Sequence, residues 1–184
     1  MPKQALRILF LLVGLLILAA LPAQAGVVAA GDKLGDLEFP APQSADDAKL
    51  LGVPADKPFK LSQLGVPYVV VELFATSCPH CVHHAPVMNQ LYGLIKKDAN
   101  LAGKVKVFGL AAGDSLGNVA SWKKHFKVPF ALVPDPDFKT YKAINPMGTP
   151  TTVLLNKNGE VLLAKAGAFD SAVAFLKEIT ALMK

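Results

Sequence analysis

Cysteine is nearly absent: the 184 residues hold two, Cys78 and Cys81. A bridge between thiols this close in sequence closes so small a ring that it removes almost no freedom from the unfolded chain. That excludes a disulfide-stapled scaffold and shifts the explanation of the pair from stability to chemistry. Long runs of one charge are also missing. Nineteen Lys and Arg stand against fourteen Asp and Glu, a formal charge of +5, scattered along the chain. Without a basic stripe there is no footprint for nucleic acid. No stretch is low in complexity and no internal repeat appears, which leaves the composition and length of one domain with a core.

One long apolar run is present, and it stands at the start. Lys3 and Arg7 precede the run from Ile8 to Leu21, Pro22 breaks it, and Ala23-Gln24-Ala25 supplies a small-x-small cleavage pattern. Residues 1–25 therefore read as an export signal. Gly26 is then the first mature residue, and the folded part lies in the periplasm or otherwise outside the cytoplasm. The alternative is an uncleaved anchor, since Ile8 to Ala30 is about long enough to cross a bilayer. Contact with a membrane is expected only in that case. No cysteine follows the run, so a lipid-modified N-terminus is not expected.

Residues 26–58 are rich in Gly, Pro and Ala and read as an irregular segment with one short strand around Leu37 to Phe39. Phe59 to Leu61 reads as another short strand. Tyr68 to Phe74 is almost wholly apolar and β-branched or aromatic, the pattern of a central strand buried on both faces. Cys78 to about Ala99 reads as a helix on the spacing of Val82, Ala85, Met88, Leu91, Tyr92 and Ile95, kinked at Pro86. A strand at Val105 to Ala111, a helix at Val119 to Lys127, a strand at Ala131 to Val133 and a helix at Asp137 to Ile144 follow. Thr151 to Leu155 and Val161 to Ala166 form a hairpin across Asn158-Gly159. Asp170 is expected to cap a last helix with the stripe Val173, Leu176, Ile179 and Leu182. Alternation first and a hairpin last predicts an α/β fold, a mixed central sheet flanked by helices.

Cys78-Pro79-His80-Cys81 directly follows the central strand and opens a helix. At a helix N-terminus unpaired amides and the helix dipole favour thiolate over thiol. Cys78 is thus the expected nucleophile, and Cys81, one turn along, the thiol that resolves a mixed disulfide. Pro79 fits the first turn, where its missing N–H costs nothing. His80, when protonated, stabilises the Cys78 thiolate and so the reduced pair, which makes the disulfide a stronger oxidant. Glu72 lies in the apolar strand, where a carboxylate needs a partner or a task. A sheet-edge position or a lysine partner would also account for it.

Val-Glu-Leu-Phe-Ala-Thr-Ser-Cys-Pro-His-Cys, residues 71–81, resembles the strand and active-site turn of thioredoxin-fold proteins. Gly148-Thr149-Pro150-Thr151-Thr152-Val153 resembles their cis-proline loop, and Asn158-Gly159 the hairpin turn beyond it. The helix and strand between about Leu116 and Val133 resemble the insertion of the TlpA/ResA-like extracytoplasmic thiol–disulfide oxidoreductases. The resemblance spans about residues 34–182 and implies a thioredoxin-like domain over residues 59–184. It implies a cis Pro150 facing the thiols, Thr149 offering backbone groups to an extended substrate, and Glu72 as proton acceptor for Cys81. The partners it implies are protein thiols or disulfides and a membrane or periplasmic redox partner, with no cofactor.

Exchange of the reductase type is the first reading. Pro79-His80 is also the dipeptide of DsbA-type oxidases, so a disulfide-forming oxidase is the alternative. A reading from another class is a copper or zinc site built from Cys78, Cys81 and His83 or His84, because thiolate and imidazole suit those ions. Two others are excluded by residue identity. Val82 stands where a c-type haem motif needs histidine, and Ala75 stands where a peroxiredoxin carries threonine.

Overall fold

The computed structural model describes residues 26–183; the expected export signal lies outside them. Seven strands and five α-helices follow one another among those residues. A short ribbon pairs β1 (Glu38–Phe39) antiparallel with β2 (Phe59–Lys60), and helix α1 (Ala45–Leu51) lies between them. β3 (Tyr68–Phe74) leads into α2 (Pro79–Lys97) and β4 (Val105–Ala112). Then come α3 (Leu116–Phe126), β5 (Ala131–Asp135), α4 (Lys139–Ile144), β6 (Thr151–Asn156), β7 (Val161–Ala166) and α5 (Ala172–Leu182).

The main sheet has the order β5-β4-β3-β6-β7. β3, β4 and β5 run parallel, joined by helical crossovers, and β6 and β7 are antiparallel additions. β3 is therefore the middle strand, and its pleat divides its side chains between two layers. Val70 and Phe74 face a core built with Met88, Leu91 and Ile95 of α2 and Phe175 and Ile179 of α5. Val69, Val71 and Leu73 face a second core under β1, β2 and α4, where the rings of Phe39, Phe59 and Phe108 meet at centroid distances of 5.0–6.1 Å. The β6–β7 turn needs its glycine. Gly159 has φ +76, and a Cβ there would lie 1.8 Å from the Gly35 carbonyl oxygen.

Several boundaries differ from the sequence expectations, each for a local reason. Residues 45–51, read as irregular, form α1: Ser44 caps it by accepting from Asp47 N–H, and Gly52 closes it in the left-handed region. Buried Asp47 then accepts from the Leu132 amide at 3.0 Å and from Lys123 Nζ, fastening this helix to β5. The last helix is capped by Ser171 rather than Asp170, and it buries Ala172, Phe175 and Ile179. Val173 and Leu182 of the expected stripe are exposed. Apolar residues on more than one face allow two phases for this helix, and the stacking of Phe175 on Phe169 at 4.0 Å belongs to the one adopted. On α2 the inward stripe is Cys81, His84, Ala85, Met88, Leu91 and Ile95, with Val82 outside it. Pro86 occupies the exposed side of the same helix.

Candidate active site

The loops after β3 and β4 leave the sheet at the same end, because the two strands are parallel and adjacent. That geometry brings Asp114, just beyond β4, to the turn that precedes the cysteines. Asp114 accepts from the Thr76 amide at 2.8 Å and from the Thr76 hydroxyl. The Cys78 amide donates to Ala75 O at 3.1 Å, closing the turn, and Cys78 becomes the N-cap of α2 with Pro79 in the first turn. Asp114 is a residue that sequence reasoning missed. Its place just after a buried strand was legible, but the pairing of that strand with β3 comes from the fold.

Cys78 is partly exposed and Cys81 fully buried; both are free thiols. The Cys81 amide donates to Cys78 Sγ at 3.4 Å. Burial alone would raise the Cys78 thiol. Hydrogen bonds with Cys81 and Thr149 and from the backbone at Cys81 and His80 outweigh burial, so it lies below the ordinary thiol range. Burial, then the neighbouring Cys78, push Cys81 up to about 12. Three positions apart, one thiol is prepared to ionise and the other to keep its proton.

The Thr149–Pro150 peptide is cis. The Cys78 thiol donates to Thr149 O at 3.3 Å, so this loop stands directly against the first cysteine. Thr151 Oγ1 holds the loop from behind by donating to Gly148 O at 2.7 Å. His80 and His83 are exposed on the first turn of α2. Beside the pair, Thr76 and Val82 form one side of an open groove of about 550 Å³, with Trp122 and Phe126 of α3 on the other. Trp122 also packs on Phe74, at 5.2 Å between ring centroids.

Glu72 is neither at a sheet edge nor paired with lysine. It sits at the centre of the sheet, opposite Gly109 on one side and Thr152 on the other. Its Oε1 lies 2.9 Å from His84 Nδ1, and only 5% of Glu72 and 1% of His84 is exposed. His84 therefore faces into the core, whereas a histidine at a helix start commonly faces solvent. Its Nδ1 is engaged by Glu72. Among the described residues no group of three His, Cys, Asp or Glu gathers as if to hold a metal ion.

The profile of the AhpC/TSA family matches residues 37–164, well over half of the chain. The chain belongs to the AhpC/TSA family. Within and around that family it is similar to the thiol-disulfide oxidoreductase ResA of Geobacillus kaustophilus, with 31% identity over 93 residues. That alignment covers 50% of this chain and 51% of the relative, so the chain spans about half the length of the curated relatives it matches. Among the solved structures that share its fold are two examples. One is a secreted thiol-disulfide isomerase from Corynebacterium glutamicum, at TM-score 0.64 and 15% identity, with 87% of this chain and 93% of that one covered. The other is a thiol:disulfide interchange protein of the thioredoxin family from Chlorobium tepidum, at TM-score 0.60 and 20% identity, with 88% and 100% covered. At these identities the likeness establishes a thioredoxin-like fold.

Proposed function

We propose that this AhpC/TSA-family chain carries out thiol–disulfide exchange on proteins outside the cytoplasm, in the reductase direction, through Cys78 and Cys81. One observation carries the reading: two thiols one helical turn apart are driven in opposite directions, Cys78 down and Cys81 up to about 12. A structural bridge has no use for that asymmetry, whereas a nucleophile followed by a resolving thiol needs it. The Cys78 thiolate attacks a substrate disulfide, forming Cys78–S–S–R and releasing the other substrate sulfur. Cys81 then forms the Cys78–Cys81 bond, breaks the bond from Cys78 to R and expels R as thiolate. Its proton passes to Glu72, the buried carboxylate on the strand beneath. The pair ends oxidised and the substrate reduced by two electrons.

Thr149 and cis Pro150 form the wall against which the extended substrate lies, with Cys78 at its centre. The export signal expected from the sequence of residues 1–25, and a protein of like fold described as secreted, support an extracytoplasmic location. A membrane or periplasmic redox partner then regenerates the dithiol.

Replacing Cys78 by Ser tests the reading. Insulin reduction and oxidation of a model dithiol fall to background, and full retention of either activity overturns it. The oxidase alternative rests on His80, exposed between the two thiols. The reduction potential of the pair separates the two directions: a value near that of thioredoxin supports the reductase and one near that of DsbA the oxidase, a span of about 150 mV.

A further inference from the structure

The exchange chemistry uses Cys78, Cys81, Glu72 and the Pro150 loop, and it assigns nothing to His84. Yet His84 is among the most deeply buried polar side chains described. Nδ1 bonds Glu72, the ring edge meets Phe169 at 4.4 Å between centroids, and Nε2 has no hydrogen-bond partner among the described residues. A polar atom left unpaired in a core costs stability. A position that tolerates this cost, on the inward stripe of the helix that carries the thiols, calls for an explanation. His84 is three residues after Cys81, so the two share a helix face. Glu72 projects from the middle strand toward that face.

The surroundings narrow what the pair can do. In the row of the sheet that holds Glu72, Gly109 has no side chain and Thr152 is buried, its Oγ1 also unpaired. Beyond Thr152 in the row is Lys165, whose ammonium is taken by Glu178 of α5 at 2.7 Å. Tyr141 of α4 is within electrostatic reach of Cys81; burial first and Cys81 second hold its phenol in the protonated form. Cys78 is at the helix start. Tyr68 and Tyr92 also border this core, Tyr92 with its phenol pushed up by burial, and Cys81 is the thiol on the helix face that carries His84. A buried carboxylate with no cation beside it is a costly charge, and an imidazole on its oxygen allows the two groups to hold one proton between them.

We propose that His84 is a positioning residue for Glu72, and that the two form one proton-holding unit behind Cys81 that takes up the resolving thiol's proton. The inference rests on the exchange reading and deepens it. Without His84 the carboxylate loses its oriented partner, and Cys81 loses the acceptor that makes it a nucleophile while it stays buried. The step is balanced as above: the S–H bond of Cys81 breaks, the proton goes to the Glu72–His84 unit, and the electron pair forms the new S–S bond.

The test uses the reduced full chain and 5,5′-dithiobis(2-nitrobenzoate) as the disulfide. Attack by Cys78 releases the first coloured thiolate, and attack by Cys81 on the mixed disulfide releases the second. Followed from pH 5 to 9, H84L and E72Q leave the first release unchanged and slow the second on the order of a hundredfold at neutral pH, the scale of a lost general base. Both variants shift its pH profile, and the E72Q/H84L double variant is no slower than either single one. H84N keeps a donor for the carboxylate and stays within about tenfold of the parent, well inside the loss expected for a missing base. H84A, which likewise removes the donor, serves in place of H84L if that variant does not fold. Equal slowing of both releases, an unchanged second release, or effects of E72Q and H84L that multiply would each overturn the proposal. The exchange reading fails separately, if Cys78→Ser leaves the first release as fast as in the parent.

Discussion

The two faces of β3 are made of nearly the same kind of residue and do different work. On one, Val69, Val71 and Leu73 meet Phe39, Phe59 and Phe108, and β3 contributes nothing polar. On the other, Val70 and Phe74 flank Glu72, and the covering helix brings His84 and Cys81 to the same layer. The difference teaches where this fold keeps its titratable groups. The apolar face supplies stability, and the face that carries the thiols gives up some of it to hold titratable groups out of water. The expected consequences of disturbing each region run from large to small.

Phe108→Ala strikes the apolar face. It removes a fully buried ring from a three-ring cluster and should cost about 3–5 kcal/mol in denaturant titration. The two thiols should keep their relative reactivity. A changed ratio of thiol rates in the folded variant would mean that the faces are not independent.

Asp114→Ala strikes the loop end of the thiol face. Two Thr76 donors lose their acceptor, for a cost of about 1–3 kcal/mol. Because that turn sets the position of Cys78, alkylation of Cys78 should slow by more than the stability loss alone would cause. Urea titration and iodoacetamide kinetics on one preparation separate the two effects.

Glu178→Gln strikes the outer end of the row that begins at Glu72. The Lys165–Glu178 pair is part-exposed, so its loss should cost less than about 1 kcal/mol and leave exchange rates unchanged. A large effect on exchange would extend the proposed proton path to the sheet edge.

The pattern of apolar residues made much of this legible. Runs such as Tyr68 to Phe74 and Thr151 to Leu155 announce buried strands, and Asn158-Gly159 announces the turn, because burial and backbone geometry act locally there. The two thiols were legible for the same reason: their spacing and their place after a strand are local facts. His84 was not. One of two adjacent histidines at a helix start reads as solvated, and only the phase of α2, fixed by packing of Cys81, Met88 and Leu91, turns it inward onto Glu72. The role of Asp114 at Thr76 depends on two strands being neighbours, which no window of sequence contains. Helix α1 was hidden among prolines and small residues, and its anchor, Asp47 to Leu132 and Lys123, is equally remote in sequence.

The central claim is the asymmetry of the two thiols, and pH-resolved alkylation measures it most directly. Only thiolate reacts, so each rate follows ionisation. With the reduced protein and iodoacetamide, site-resolved by mass spectrometry, Cys78 should reach its plateau rate below the pH at which a free cysteine does. Cys81 should stay unmodified through neutral pH and begin to react only as pH climbs toward about 12 or the chain unfolds. Equal rates at the two positions, or Cys81 modified first in the folded protein, would contradict the account.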